Sequence, residues 1–281
     1  MSERKITPEQ INAYRRHLLT EERSEATVEK YLRDIKAFSA WLKGRAVTKE
    51  QAIAWKSYLM AQHYAPVTIN AMLSALNGLF QFLGWDECHI KFLKIQRKLF
   101  QDTQRKLSRA EYERLLAAAR TRGKERLALL METICATGIR VSEIQYITVE
   151  AAQKRQTQIT LKGKIRGILL PKKLCKKLLQ YAKGKKITSG KIFLTRSGHE
   201  INRKQIWAEM KALCATAGIN PSKVFPHNLR HLFASLFYQA YKDIARLADI
   251  LGHSSVETTR IYLLTPSTEH IRQMERLNLI T

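Results

Sequence analysis

Residues 224–234, V-F-P-H-N-L-R-H-L-F-A, and residues 251–264, L-G-H-S-S-V-E-T-T-R-I-Y-L-L, decide how the chain is read. Between them they carry His227, Arg230, His231, His253 and Tyr262 on segments with helical spacing. Pro226 suits the first turn of a helix and so places His227 at its start. Gly252 is a helix stop, and Ser254-x-x-Glu257 has the form of a capping box that opens the next helix. His253 is therefore expected in a corner between two helices, with Tyr262 nine residues further on. Any one of these residues alone is more often structural. Together, cationic and proton-carrying groups converging with a phenol suit attack on a phosphodiester and stabilisation of the charge that develops.

The composition supplies a fitting partner. The chain has 281 residues, with 49 Lys+Arg against 24 Asp+Glu and a formal net charge of +25. A field of that sign concentrates polyanions, nucleic acid before all. No apolar run approaches the roughly 20 residues that span a bilayer, so a membrane partner is not expected. Residues 1–10, M-S-E-R-K-I-T-P-E-Q, contain no apolar signal region. Cys88, Cys135, Cys175 and Cys214 are scattered without a C-x-x-C pair, which argues against zinc and against a disulfide framework. A cytoplasmic protein is expected, with no metal and no cofactor.

The first third predicts a compact all-helical bundle. Thr7-Pro8-Glu9-Gln10 caps a helix running to about Leu19, and a second is expected over Glu25–Leu42. Thr48 caps a third, and Pro66 opens a fourth that stops near Gly84. Residues 86–106 lose the periodicity and accumulate Lys91, Lys94, Arg97, Lys98, Arg105 and Lys106, which suggests a basic interdomain linker. Ser108-Arg109-Ala110-Glu111 then caps a new domain, with helices expected at about 109–121 and 123–137.

After Gly138, Arg140-x-x-Glu143 opens another helical turn, and the i,i+3 spacing lets Glu143 hold Arg140. Residues 157–171 alternate about a tight Lys162-Gly163-Lys164 turn, the pattern of a β-hairpin. From Ala151 to His199 there are fourteen Lys/Arg and no Asp/Glu, which favours a phosphate-contacting groove. Further helices are expected at about 172–183, 202–217, 227–240, 243–251, 255–263 and 266–277, with a short strand at Ile192–Leu194. The fold class is thus mostly α with a small β-hairpin, in two domains.

Arg140 in T-G-I-R-V-S-E, the hairpin K-G-K, H-N-L-R-H, L-G-H-S and the following I-Y together resemble the tyrosine recombinase (phage integrase) family, of the Xer-type or integrase-like two-domain kind. The resemblance covers nearly the whole chain. It implies an N-terminal core-binding (SAM-like) DNA-binding domain over 1–85, the linker over 86–106 and a catalytic domain with a C-terminal helix over 107–281. It implies that Arg140 and Arg230 clamp the scissile phosphate, that Lys162 is the general acid and that His227 assists proton transfer. His253 would hydrogen-bond the phosphate and Tyr262 would form a 3′-phosphotyrosine, with Glu143 and His231 as supports. Lys164, Arg166 and Arg260 are expected as DNA contacts.

Many Xer-type hairpins read G-K-G-x-K-x-R, whereas Leu161 here precedes K-G-K-I-R, so Lys162 and Lys164 both stand as candidates for the acid. The resemblance further implies a site-specific recombinase of double-stranded DNA. It would be a monomer in solution and a homotetramer on two duplexes, with accessory DNA-bending or directionality proteins as compatible partners. Integration and excision of a bacterial mobile element is the favoured task. Resolution of replicon dimers, a type IB topoisomerase and a catalytically silent DNA-binding protein are the alternatives.

Overall fold

The computed structural model describes residues 4–95, 105–161, 164–195, 197–262, 271–272 and 274–277, without the side chains of residues 161 and 164. The chain divides into two compact units, Met1–Arg97 and Lys98–Thr281.

In the first unit, α1 (Pro8–Thr20), α2 (Glu25–Leu42), α3 (Lys49–Ala61) and α4 (Pro66–Phe82) follow the apolar periodicity closely. The start of α1 is fixed by a reciprocal capping box, in which Thr7 Oγ1 accepts from the Gln10 N–H at 3.3 Å and Gln10 Oε1 accepts from the Thr7 N–H at 3.0 Å. The apolar faces of α2 and α4 meet over Ile35, Phe38, Leu73, Leu76 and Phe80, all fully buried. Part of the segment expected as linker belongs to this packing. Cys88 and Ile90 are buried in the same core. The carboxamide of Asn77 pairs with both backbone groups of Ile90 at 2.8 and 2.9 Å, and that of Asn70 does the same for Leu93. Residues 96–104 lie outside the described residues.

In the second unit α5 (Arg109–Thr121) begins at the Ser108/Glu111 capping box, and α6 (Glu125–Thr137) runs through the core. Next come a 3-10 turn (Val141–Tyr146), α7 (Val149–Lys154), the antiparallel strands β1 (Gln156–Leu161) and β2 (Lys164–Leu169), and α8 (Lys172–Gly184). The chain then forms α9 (Arg203–Lys211), α10 (Cys214–Ala217), α11 (Pro226–Tyr241), α12 (Ile244–Leu251) and α13 (Val256–Arg260). α6 packs against α5, α8 and α11, so the apolar run Leu127–Ile134 is the central rod of the unit.

Several local expectations are corrected. The turn after Arg140 is 3-10 rather than α. The helix expected over 202–217 is broken between α9 and α10. Ile192–Leu194 forms no named strand, only flanking bridges Thr148↔Lys191 and Leu194↔Glu200. The cap of α13 is Ser255, whose hydroxyl accepts from the Glu257 N–H, and not Ser254. The helix α7 was missed because six residues carry too little periodicity. Half of the expected helix at 266–277, residues 266–270 and 273, falls outside the described residues.

Candidate active site

Two helix ends build the floor of the site. α6 stops at Gly138, which takes φ +66°, and α12 stops at Gly252, with φ +64°. Left-handed backbone of this kind is open to glycine at little cost. The two stops leave the Gly138 and Leu251 carbonyls at the negative ends of their helix dipoles. Arg230, on the second turn of α11, is 1% exposed and reaches both. Its Nη1 donates to Gly138 O at 2.7 Å, and its Nη2 donates to Leu251 O at 2.8 Å and to His253 Nε2 at 2.8 Å. Burying an unpaired guanidinium costs several kcal/mol, and here three neutral acceptors and two helix termini offset that cost. No carboxylate lies in this acceptor set, so the positive charge remains uncancelled. Three of the five N–H donors of the guanidinium are taken by these acceptors.

The hydrogen bond from Arg230 fixes the tautomer of His253. Because Nε2 accepts, Nδ1 carries the proton and donates to Thr259 Oγ1 at 2.8 Å. Thr259 itself is fully buried. Burial, then the guanidiniums of Arg230, Arg140 and Arg166, push the His253 pKa down to about 4, which agrees with a neutral, accepting ring at pH 7.

Arg140 caps the 3-10 turn. Its Nη1 donates to Glu143 Oε1 at 3.0 Å, while Glu143 Oε2 accepts from the Arg140 N–H at 2.7 Å and from Arg166 Nη2 at 2.5 Å. Glu143 is 1% exposed, whereas the Arg140 side chain keeps 41% exposure and so stays accessible to a ligand.

Tyr262 is 3% exposed and packs with Ala234, Leu247 and Leu251. Three histidines surround it: the His231 ring lies edge-on at 4.3 Å between centroids, His253 stacks at 5.8 Å and 9°, and His227 stands at 6.2 Å. His227 and His231 meet edge to face at 4.7 Å. The phenol is near enough to Arg230 to raise the guanidinium's pKa by hydrogen bonding, against a larger lowering from burial. Burial also holds His231 down to about 4, helped by His227 and Lys106, and depresses His227, followed by Arg230 and Arg140. With His231 and His253 neutral at pH 7, the three guanidiniums of Arg140, Arg166 and Arg230 face, among the described residues, one carboxylate, that of Glu143. The local excess of two positive charges suits an anion that gains charge as it reacts.

Of the residues expected from sequence, Arg140, Glu143, His227, Arg230, His231, His253 and Tyr262 come together in this unit. Lys162 lies outside the described residues, as does the side chain of Lys164, which is paired in register with Leu161. Arg260 is on the surface, 3.8 Å from Glu257. Arg166, expected as a DNA contact, has a side chain that is 13% exposed and turns inward onto Glu143 and Leu251 O. Sequence reasoning missed Thr259 and the Gly138 and Leu251 carbonyls. A threonine hydroxyl and two backbone oxygens leave no motif of their own.

Residues 105–267 match the Phage integrase family, and residues 11–87 match the Phage integrase, N-terminal SAM-like domain. Tyrosine recombinase XerD of Vibrio cholerae is 28% identical over 270 residues, covering 89% of this chain and 89% of the relative. Tyrosine recombinase XerA of Pyrococcus furiosus is 27% identical over 290 residues, covering 100% and 98%. Among solved structures, the Tn1549 transposon integrase in complex with transposon right end DNA superposes with a TM-score of 0.72 at 17% identity, over 96% of this chain and 99% of that one.

Proposed function

From the premise that this chain belongs to the phage integrase family and is a tyrosine site-specific recombinase, we propose that Tyr262 is its nucleophile and that Arg140 and Arg230 hold the scissile phosphate. The observation that carries the reading is the seating of the Tyr262 phenol among His227, His231 and His253 beside Arg230, all within one chain.

The phenol oxygen attacks phosphorus and gives up its proton. The bond to the 5′-oxygen breaks, and that oxygen leaves as a hydroxyl once protonated. The product is a 3′-phosphotyrosine, which preserves the phosphodiester energy for the reverse attack by a 5′-hydroxyl. A phenol is mostly protonated at neutral pH, so a proton acceptor is needed nearby, and His227 takes that role with His231 as its support. The nonbridging oxygens gain charge in the pentacoordinate state. The remaining donors of Arg230 and the accessible fork of Arg140 match that charge in geometry and sign. Hairpin residue Lys162, or Lys164 in its place, protonates the leaving oxygen.

Double-stranded DNA is the partner, and the structural relatives include integrases solved on DNA. The complete reaction, with strand exchange between two duplexes, calls for four copies of the chain, and the seating of Tyr262 beside its own Arg230 favours cleavage in cis. The helical unit at residues 11–87 would grip the duplex as well. Incubation with two-site plasmids tests the whole reading. Recombined circles that depend on Tyr262 support it, while relaxation of supercoils without any joining of sites points to a topoisomerase-like activity instead.

A further inference from the structure

We infer that Arg166, on β2, is a positioning residue for strand cleavage. It aligns Arg140 through the shared carboxylate of Glu143 and braces the Leu251 carbonyl that holds Arg230, without touching DNA. This rests on the reading of Arg140 and Arg230 as phosphate-binding groups.

β2 alternates cleanly, with Ile165 and Leu169 exposed and Ile168 buried on the same side as Arg166. The inward guanidinium joins three elements. Its Nη2 donates to Glu143 Oε2 at 2.5 Å, on the turn that carries Arg140. Its Nη1 donates to Leu251 O, which also accepts from Arg230 Nη2. Its Nη1 also donates to Ile250 O at 3.4 Å, while its Nε is buried with no hydrogen-bond partner, so the fork is held on Glu143 and the end of α12.

The floor beneath it is glycine by necessity. A Cβ at Gly252 would lie 2.4 Å from Arg166 Cδ and 2.6 Å from Nη1. Packed on Gly252 and hydrogen-bonded to Glu143 and Leu251 O, the side chain is turned away from solvent. Removing it would free Glu143 Oε2 to turn from Arg166 to the Arg140 guanidinium and draw that fork away from its outward aim.

The test is single-turnover cleavage of a nicked suicide duplex by the full chain, with the rate constant, the adduct amplitude and the DNA affinity all measured. Arg166→Gln should lower the first-order rate constant about 100-fold, the scale for a misplaced catalytic group, while leaving DNA affinity and its salt slope unchanged. A DNA contact would instead lose affinity and about one unit of salt slope, and a merely structural residue would lose amplitude at an unchanged rate constant. Either result overturns the inference.

Arg166→Lys, still able to pair with Glu143, should recover about tenfold of the lost rate, and no recovery contradicts the coupling. The Glu143→Gln, Arg166→Gln double variant should be no slower than the slower single, and additive losses would count against a shared path. The rate constant is read on molecules that form adduct, so partial unfolding does not alter it. Tyr262→Phe on the same duplex separates the two levels. If it still forms adduct, the proposed function falls. If it forms none and Arg166→Gln cleaves at the wild-type rate, only this inference falls.

Discussion

Gly138→Ala tests whether the floor of the site depends on the close approach of α6, α11 and α12. A Cβ built at Gly138 would meet Phe233 Cδ1 at 2.5 Å, Phe233 Cε1 at 2.6 Å and Leu251 Cδ2 at 2.9 Å. Two of these atoms belong to an aromatic ring wedged between helices, which cannot yield as a flexible side chain does. The φ of +66° adds about 1–2 kcal/mol for any residue with a Cβ, and overpacking adds about 1–3 kcal/mol.

Gly123 supplies the control. It has nearly the same φ, +64°, with nothing within 4 Å of the built Cβ. Gly123→Ala should therefore cost only the backbone part, about 1–2 kcal/mol, and Gly138→Ala about 2–5 kcal/mol in total. For a domain of this size the larger figure corresponds to a melting-point drop of roughly 4–20 °C. Urea unfolding of the full chain measures the difference between the two variants. Because the Gly138 carbonyl holds Arg230, Gly138→Ala should also slow cleavage about tenfold or more by displacing the guanidinium, while Gly123→Ala leaves the rate unchanged. Equal unfolding midpoints and equal rates for the two alanines would refute the close-packed floor.

Arg230→Lys should retain DNA binding within a few-fold and lose cleavage by about 100- to 1,000-fold in a single-turnover assay, since an ammonium cannot span the Gly138 and Leu251 carbonyls, His253 and a phosphate together. Parallel losses of binding and cleavage would make it a binding residue. The pH dependence follows from His231 and His253, both held to about 4 in the folded chain against 6.5 unfolded. Between those values the unfolded chain binds more protons, so stability is fully present above pH 6.5 and falls as pH drops towards 4. Protonation of His253 also removes the acceptor for Arg230, so cleavage should fail over the lower part of the same window. Urea midpoints at pH 7.5 and 5, and cleavage rates at pH 7.5 and 4, check both, and a flat stability profile contradicts the buried neutral rings. Binding to duplex DNA should weaken steeply between 50 and 200 mM salt, in keeping with the net charge of +25, and a salt-independent affinity would argue against a phosphate-led contact.

The helices were legible because their signals are local. Thr7, Ser108 and Pro66 mark starts, and an apolar stripe such as Leu127–Ile134 marks a buried rod. The site was legible where motifs carried it: H-N-L-R-H placed His227, Arg230 and His231 on one helix, and L-G-H placed His253 in its corner. The inward turn of Arg166 was not legible, because a basic residue in a basic hairpin looks solvent-directed and only the tertiary approach of Glu143 and Gly252 turns it inward. The Gly138 and Leu251 carbonyls were invisible for a related reason. A backbone acceptor has no letter in the sequence, and its availability depends on where two helices happen to end in space. The segment after Gly84 looked like a linker because its basic residues obscured two buried side chains, Cys88 and Ile90, and the asparagines that fasten it lie on the preceding helix.

The central claim is that the phenol of Tyr262 becomes covalently joined to a DNA 3′-phosphate. Trapping the adduct on a nicked suicide duplex, digesting the protein and sequencing the DNA-linked peptide by mass spectrometry tests it most directly. A single modified peptide carrying Tyr262 is expected, and no adduct from Tyr262→Phe. A link to Tyr238, Tyr241 or any other residue, or an undiminished adduct from the phenylalanine variant, contradicts it.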